Sequence, residues 1–231
     1  MEISKETGLP YPTTFRIVQT LIHEGVVEQE PSRKRYRATA LVQSLSSGFQ
    51  EDDRLLGAAA FPMEEFTATY HWPVALAVRV GNRMMVKHST SHLTSQTFVN
   101  HHPGDNMPLL DCSSGRVYLA FCDQKEREIV LEGIERHSSG HNTMSWQLVT
   151  EGGLLQTVQE DGYAAVARTP FNRTPGKTSA FSVPLLHDGK LVACMTFVFF
   201  ATAHSIQDAI DQYLEPVKAL ARTVSERIQP E

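Results

Sequence analysis

Apolar positions along this chain change period more than once, and each change predicts a different piece of structure. From Thr13 to Glu24, Phe15, Val18, Leu21 and Ile22 recur at helical spacing, while Thr13, Arg16, Gln19, Thr20 and His23 face elsewhere. Pro10 and Pro12 open this segment, where a missing N–H would be unpaired anyway. Ahead of it, Ile3–Thr7 reads as a short helix stopped by Gly8. Beyond Gly25 the pattern turns to strands: Val26–Gln29 and Arg35–Thr39, joined by a turn through residues 30–34. Helix, tight turn, helix and basic-tipped hairpin predict a winged helix-turn-helix over residues 1–39. A linker helix follows within residues 40–53, covering Ala40–Phe49 and fraying at Gly48.

Residues 54–231 read as a second domain. A helix is expected near Leu55–Tyr70, then strands Val74–Val80 and Met84–His88 across Gly81-Asn82. Helices are expected over Ser114–Phe121, Gln124–Glu132 and Thr150–Glu160, and a strand over Tyr163–Ala167. Phe181–Leu186 and Leu191–Phe200 form a hairpin across His187-Asp188-Gly189-Lys190, a strong short-range turn signal. An amphipathic helix from Ser205 to Ile228 closes the chain. Strand, helix and antiparallel hairpin with terminal helices predict an α+β fold.

Composition narrows the function classes. Hydrophobic content of 41% supports a real core, yet no apolar run nears the roughly 18 residues of a membrane helix. The first six residues lack the apolar stretch of a secretory signal. Cys112, Cys122 and Cys194 form no CxxC pair and read as reduced, buried thiols of a cytoplasmic protein. A net charge of −5 offers no general attraction for nucleic acid. Its distribution does: residues 1–50 carry +1, and four of their six cations fall in Arg33-Lys34-Arg35-Tyr36-Arg37.

Two constellations carry chemistry. In a helix-turn-helix the second helix enters the major groove with its N-terminal residues against base edges. Tyr11, Thr13, Thr14 and Arg16 would occupy those places, and Arg33, Lys34 and Arg35 would touch phosphate. A bland surface helix and a solvated charge run are the alternatives, weakened by Gly8 before the helix and the basic hairpin after it. The second constellation is Cys112-Ser113-Ser114-Gly115-Arg116, where small hydroxyl residues open a helix. Unpaired N–H groups at a helix start suit a carboxylate, although a simple N-cap would look the same. His88–His92, His101-His102 and His137–His141 are short-spaced, but no cysteine or carboxylate accompanies them at zinc spacing. The chain has no Gly-x-Ser-x-Gly elbow and no phosphate-cradling glycine loop. No metal, no cofactor and no catalysis are expected.

These residues resemble the isocitrate-lyase-regulator (IclR) family of bacterial transcription factors. Gly8-Leu9-Pro10, Thr13, Arg16, Thr20-Leu21, Gly25 and Val27 stand where that family's winged helix carries its signature. The resemblance continues through PLLDCSSGRVYLAFC (Pro108–Cys122), DGYAA (Asp161–Ala165) and SVPLLHDGKLVACMTF (Ser182–Phe197). Two positions depart from the pattern: Pro12 replaces a capping Ser or Thr, and Arg116 replaces a lysine. Family members also carry a first helix before the place of Met1, so a shortened winged helix is expected, with Phe15, Val18 and Ile22 losing cover.

The resemblance implies a GAF-like second domain that binds a small organic acid at the start of the Ser113 helix, facing an antiparallel sheet. It implies Cys112, Ser113, Ser114 and Gly115 in that site, joined by Ser179, Thr196 and Val198 on the last two strands. An apolar Val198 favours a larger or aromatic effector. Within the family, HWP, LLDCSSG and FVFFATAHSIQDA look most like activators of aromatic-acid catabolism, notably of hydroxyphenylpropionate breakdown. Double-stranded operator DNA and homodimers or tetramers are the partners implied. The rival readings are an effector-binding protein that no longer reads DNA and an enzyme using the Ser114 pocket.

Overall fold

The computed structural model describes residues 2–30, 35–44, 53–97, 101–137, 143–167 and 178–228. Contacts divide the chain into two compact units, residues 1–52 and 53–231. The first holds α1 (Glu2–Thr7), α2 (Tyr11–His23), β1 (Val27–Gln29), β2 (Tyr36–Ala38) and α3 (Leu41–Ser44). Gly8, at φ +68°, ends α1 in the left-handed conformation that glycine adopts without steric cost. β1 and β2 pair antiparallel with Glu28 opposite Arg37, and those side chains join at 2.6 Å. Thr39 fastens the hairpin to the end of α2: its amide donates to Val26 and its hydroxyl to Gly25. The expected linker helix is seen as α3; residues 45–52 and the hairpin tip at 31–34 lie outside the described residues.

The second unit is built on a six-stranded antiparallel sheet of order β5-β4-β3-β8-β7-β6. Its strands are β3 (Val74–Val80), β4 (Arg83–Ser89), β5 (Asn106–Pro108), β6 (Ala164–Val166), β7 (Thr178–His187) and β8 (Lys190–Phe200). On one face lie α4 (Asp53–Tyr70) and α9 (Ile206–Arg227). On the other lie α5 (Ser113–Phe121), α6 (Gln124–His137), α7 (Met144–Thr150) and α8 (Leu154–Asp161). Each helical layer closes its own apolar core against the sheet, giving three layers and two cores.

The β7–β8 turn has positive φ at both Asp188 (50°) and Gly189 (74°), the conformation a two-residue hairpin loop demands. One irregularity proves consequential. Leu186 pairs with Leu191 but Leu185 pairs with Ala193, so Val192 is an extra residue on β8 and the register above it slips by one. Ser205 caps α9, and its box with Asp208 is complete. Two expectations fail. The helix expected over Thr150–Glu160 begins only at Leu154, as α8, after Gly153 at φ +67°, and the preceding α7 was not anticipated. The three-residue edge strand β5 was not anticipated, because so short a run carries no period.

Candidate functional site

Strand alternation sorts the sheet into two unlike surfaces. Along β8, Ala193, Met195, Phe197 and Phe199 enter the core beneath α4 and α9, while Cys194 belongs to the α5 core. Alternation carries Thr196 and Val198 to the same side as Cys194. On β7, Phe181, Val183 and Leu185 join the first core, leaving Ala180 and Ser182 toward α5. On β3, Val74 and Leu76 join the first core, leaving Ala75 and Ala77 toward α5. Thr196 pairs with both Ala75 and Ser182, and Ser182 pairs with Ala164. The α5 face is therefore floored by alanines and hydroxyls where the opposite face carries phenylalanines.

Helix α5 delivers its first turn onto that floor. Ser113 Oγ lies 2.8 Å from Ser182 Oγ, which lies 2.8 Å from Thr196 Oγ1. All three side chains are buried, so the chain of hydroxyls satisfies groups that would otherwise cost about 1–3 kcal/mol each. Ser114 is buried beside them: its carbonyl accepts from Cys194 Sγ at 3.3 Å, and its hydroxyl lies 3.4 Å from Cys112 Sγ. Cys112 occupies the N-cap but gives no side-chain capping bond. Gly115 is required by packing: an added Cβ would stand 1.8 Å from the Leu109 carbonyl oxygen. Its contribution is to seat the helix, since it has no side chain to offer a ligand.

Of the expected ligand residues, Cys112, Ser113, Ser114, Thr196 and Val198 gather on or over this floor. Ser179 does not. It pairs with Phe199, on the surface packed by α4 and α9. The extra residue Val192 explains the displacement: without it Ser179 would pair with Val198, and Thr196 with Phe181. The slipped register brings Ser182 into the cluster instead, a residue that sequence reasoning missed because a bulge is invisible in the hairpin's alternation.

In the first unit, α2 presents Tyr11, Thr13 and Arg16 to solvent. Thr13, Arg16 and Thr20 follow at spacings of three and four, forming one polar stripe, so Thr20 extends the expected set. Thr14 leaves it: the residue is only 7% exposed, and its hydroxyl turns back to the Pro10 and Leu9 carbonyls. Position 14 falls on the inner face with Val18, which is also buried. Ile22 is half-buried and Phe15 is 46% exposed. Arg35 is exposed, while Arg33 and Lys34 lie outside the described residues.

The remaining chemistry-bearing groups are engaged elsewhere. The three cysteines are free and buried, and burial pushes each thiol above its ordinary pKa, away from the reactive thiolate. Among the described residues no three His, Cys, Asp or Glu side chains converge as metal ligands. An open cleft of about 1190 Å³ lies between the β3–β4 turn, α6 and residues 108–111. It contains none of the expected ligand residues. Its Arg79 is committed to Tyr118, Gly81 and Glu126, leaving little to offer a ligand. No described helix is long and apolar enough to cross a membrane.

Comparison with known proteins agrees with this two-unit arrangement. The family model for the IclR helix-turn-helix domain matches residues 1–31, and that for the bacterial transcriptional regulator IclR C-terminal domain matches residues 51–226. The transcriptional regulator KdgR of Escherichia coli is 23% identical over 226 residues, covering 97% of this chain and 83% of the relative. An IclR-family regulator from Brucella abortus superposes with a TM-score of 0.72 at 21% identity, covering 99% of this chain and 84% of that one. An IclR homolog from Microbacterium hydrocarbonoxydans, solved in complex with 4-hydroxybenzoate, superposes with a TM-score of 0.68 at 22% identity, covering 98% and 89%. With both family models matched in order, this chain belongs to the IclR family of bacterial transcriptional regulators, with a helix-turn-helix DNA-binding unit and a C-terminal effector domain.

Proposed function

We propose that the α5 face of the sheet receives a small, aromatic carboxylate, and that its binding alters how paired winged helices hold operator DNA. The observation that carries the reading is the buried chain Ser113–Ser182–Thr196 on an alanine floor beneath the start of α5. Hydroxyls in a buried, small-residue site can exchange bonds among themselves for bonds to an acid's oxygens. Cys112, Ser114 and Val198 complete the lining, Val198 supplying apolar contact for a ring. The 4-hydroxybenzoate held by the Microbacterium relative supports an aromatic acid as the ligand class.

On the DNA side, Thr13, Arg16, Thr20 and Tyr11 would meet the major groove, and Arg33, Lys34 and Arg35 the phosphates. One such unit makes few phosphate contacts, so a homodimer or tetramer on a repeated site is part of the proposal, as is a cytoplasmic location. An effector acts only through a difference in affinity between two arrangements of the assembly. Fluorescence anisotropy of labelled DNA from upstream of the gene tests this. Arg16→Ala is expected to weaken binding by about 1–3 kcal/mol, with effector affinity unchanged. Equal loss of both affinities, or anisotropy that neither benzoate nor 3-phenylpropionate shifts, would remove the division of labour.

A further inference from the structure

Among the described residues of the effector domain, one half-buried guanidinium has no carboxylate within ion-pair distance. Arg116 follows Gly115 on α5, one turn beyond Ser113, and its Nη1 donates to the Ala165 carbonyl at 3.4 Å. That is the long limit of a hydrogen bond. Its Nε is buried without a partner, and no described carboxylate comes within ion-pair distance of the guanidinium. Asp111 acts on it only through space, its Oδ1 accepting from Ser145 at 2.7 Å. The contrast with two other arginines is instructive. Arg79 spends its donors on Tyr118, Gly81 and Glu126. Arg127 also has a buried, unpaired Nε, but its Nη2 caps the end of α5 through the Ala120 and Cys122 carbonyls. Among the described residues, Arg116 alone of the three has a single, long contact.

A guanidinium stays protonated in a protein, and desolvating it without an anion is costly. Burial pushes its pKa down, the direction that marks a missing counter-charge. Its location is informative. Helical side chains lean toward the helix N-terminus, so Arg116 leans back toward the turn that carries Ser113. Ala165, its hydrogen-bond partner among the described residues, adjoins Ala164, which pairs with Ser182. The cation thus reaches β6, the edge strand that pairs with the Ser182 segment of β7.

We infer that Arg116 is the charge anchor of the effector site and selects an organic monoanion. The carboxylate lies between the guanidinium and the Ser113–Ser182–Thr196 hydroxyls, with the ligand's body over Ala75, Ala180 and Val198. One unpaired cation balances one negative charge, so monocarboxylates are preferred to neutral isosteres. This rests on the proposed reading that the α5 face is the ligand site.

Calorimetry with two matched pairs, benzoate with benzamide and 3-phenylpropionate with 3-phenylpropanamide, tests it on the full chain. At least one acid is expected to bind the unmodified protein tighter than its amide by roughly tenfold or more, the scale of a charge-assisted bond. In Arg116→Gln that ratio falls toward one, Arg116→Lys restores most of it, and Thr196→Ile abolishes both ligands. Circular dichroism verifies folding, and Arg116→Met, which keeps the stem, replaces the glutamine variant if that one unfolds. An acid-to-amide ratio unchanged in Arg116→Gln while Thr196→Ile abolishes binding overturns the anchor and leaves the site standing. Unaltered acid binding in both variants overturns the site as well. Failure of every acid to bind tighter than its amide in the unmodified protein also overturns the anchor.

Discussion

The two faces of the central sheet are made from alternate residues of the same strands, yet their chemistry differs. Toward α4 and α9, Phe197 packs against Phe66, Trp72, Phe181, Phe199 and Tyr213 in an aromatic core. Toward α5, the neighbouring positions are Ala180, Ser182, Thr196 and Val198. The first face maximises buried apolar area and needs no hydrogen-bonding partner. The second gives up that area for small side chains and hydroxyls, which stabilise little and can be rearranged. Regular alternation lets one strand line both faces, so that, with the α5 face as the proposed ligand site, stability and ligand binding should be separable by mutation.

Truncating the aromatic face is expected to have the largest effect. Phe197→Ala removes a ring that contacts Phe66, Trp72, Phe181, Phe199 and Tyr213, and should cost about 3–5 kcal/mol in urea unfolding. Its effect on ligand affinity in the surviving folded fraction should be small; a comparable loss of both would dissolve the distinction between the faces. Next comes the seat of α5. Gly115→Ala drives a methyl into the Leu109 carbonyl, so the helix must shift, at about 1–3 kcal/mol, and ligand affinity should fall with stability.

Adjacent residues sharpen the contrast further. Ser182→Ala strands the Ser113 and Thr196 hydroxyls and should cost about 1–2 kcal/mol while altering acid binding. Val183→Ala, one residue along on the other face, should reduce stability but leave acid binding as it was. Calorimetry and denaturation of both variants would expose any failure of this separation. The smallest expected effect concerns pH. His88 pairs with Leu76 on the α4 side, and its pKa is lowered from 6.5 by burial, against the opposing pull of Glu64. The unfolded state then binds more protons, so the stability present above pH 6.5 drains as pH falls through the depressed value. His88→Gln should flatten that part of the Tm profile without touching acid binding; an unchanged slope would assign it to other groups.

Much of this was legible in the sequence because the signals were local. Gly8 and Pro12 frame α2, Asp188-Gly189 closes the long hairpin, and Ser205 with Asp208 starts α9. What escaped depended on residues that make no sequence signal by themselves. The bulge at Val192 exchanges Ser179 for Ser182 in the cluster, although both are serines on one strand. Thr14 reads as one more polar residue of a groove-facing helix until the helix phase places it beside Val18. The glycine pair Gly152-Gly153 delays the start of α8 to Leu154, four residues past the expected Thr150. Arg116 was visible only as a departure from a family pattern; its unpaired Nε emerges only in the folded domain.

The most direct test of the account is a methyl NMR titration of alanine-labelled protein with 3-phenylpropionate and benzoate. Binding on the α5 face should shift Ala75, Ala164 and Ala180, while Ala59, Ala193 and Ala209, buried in the aromatic core, hold their positions. Shifts concentrated in that second set, with the first set still, would contradict it.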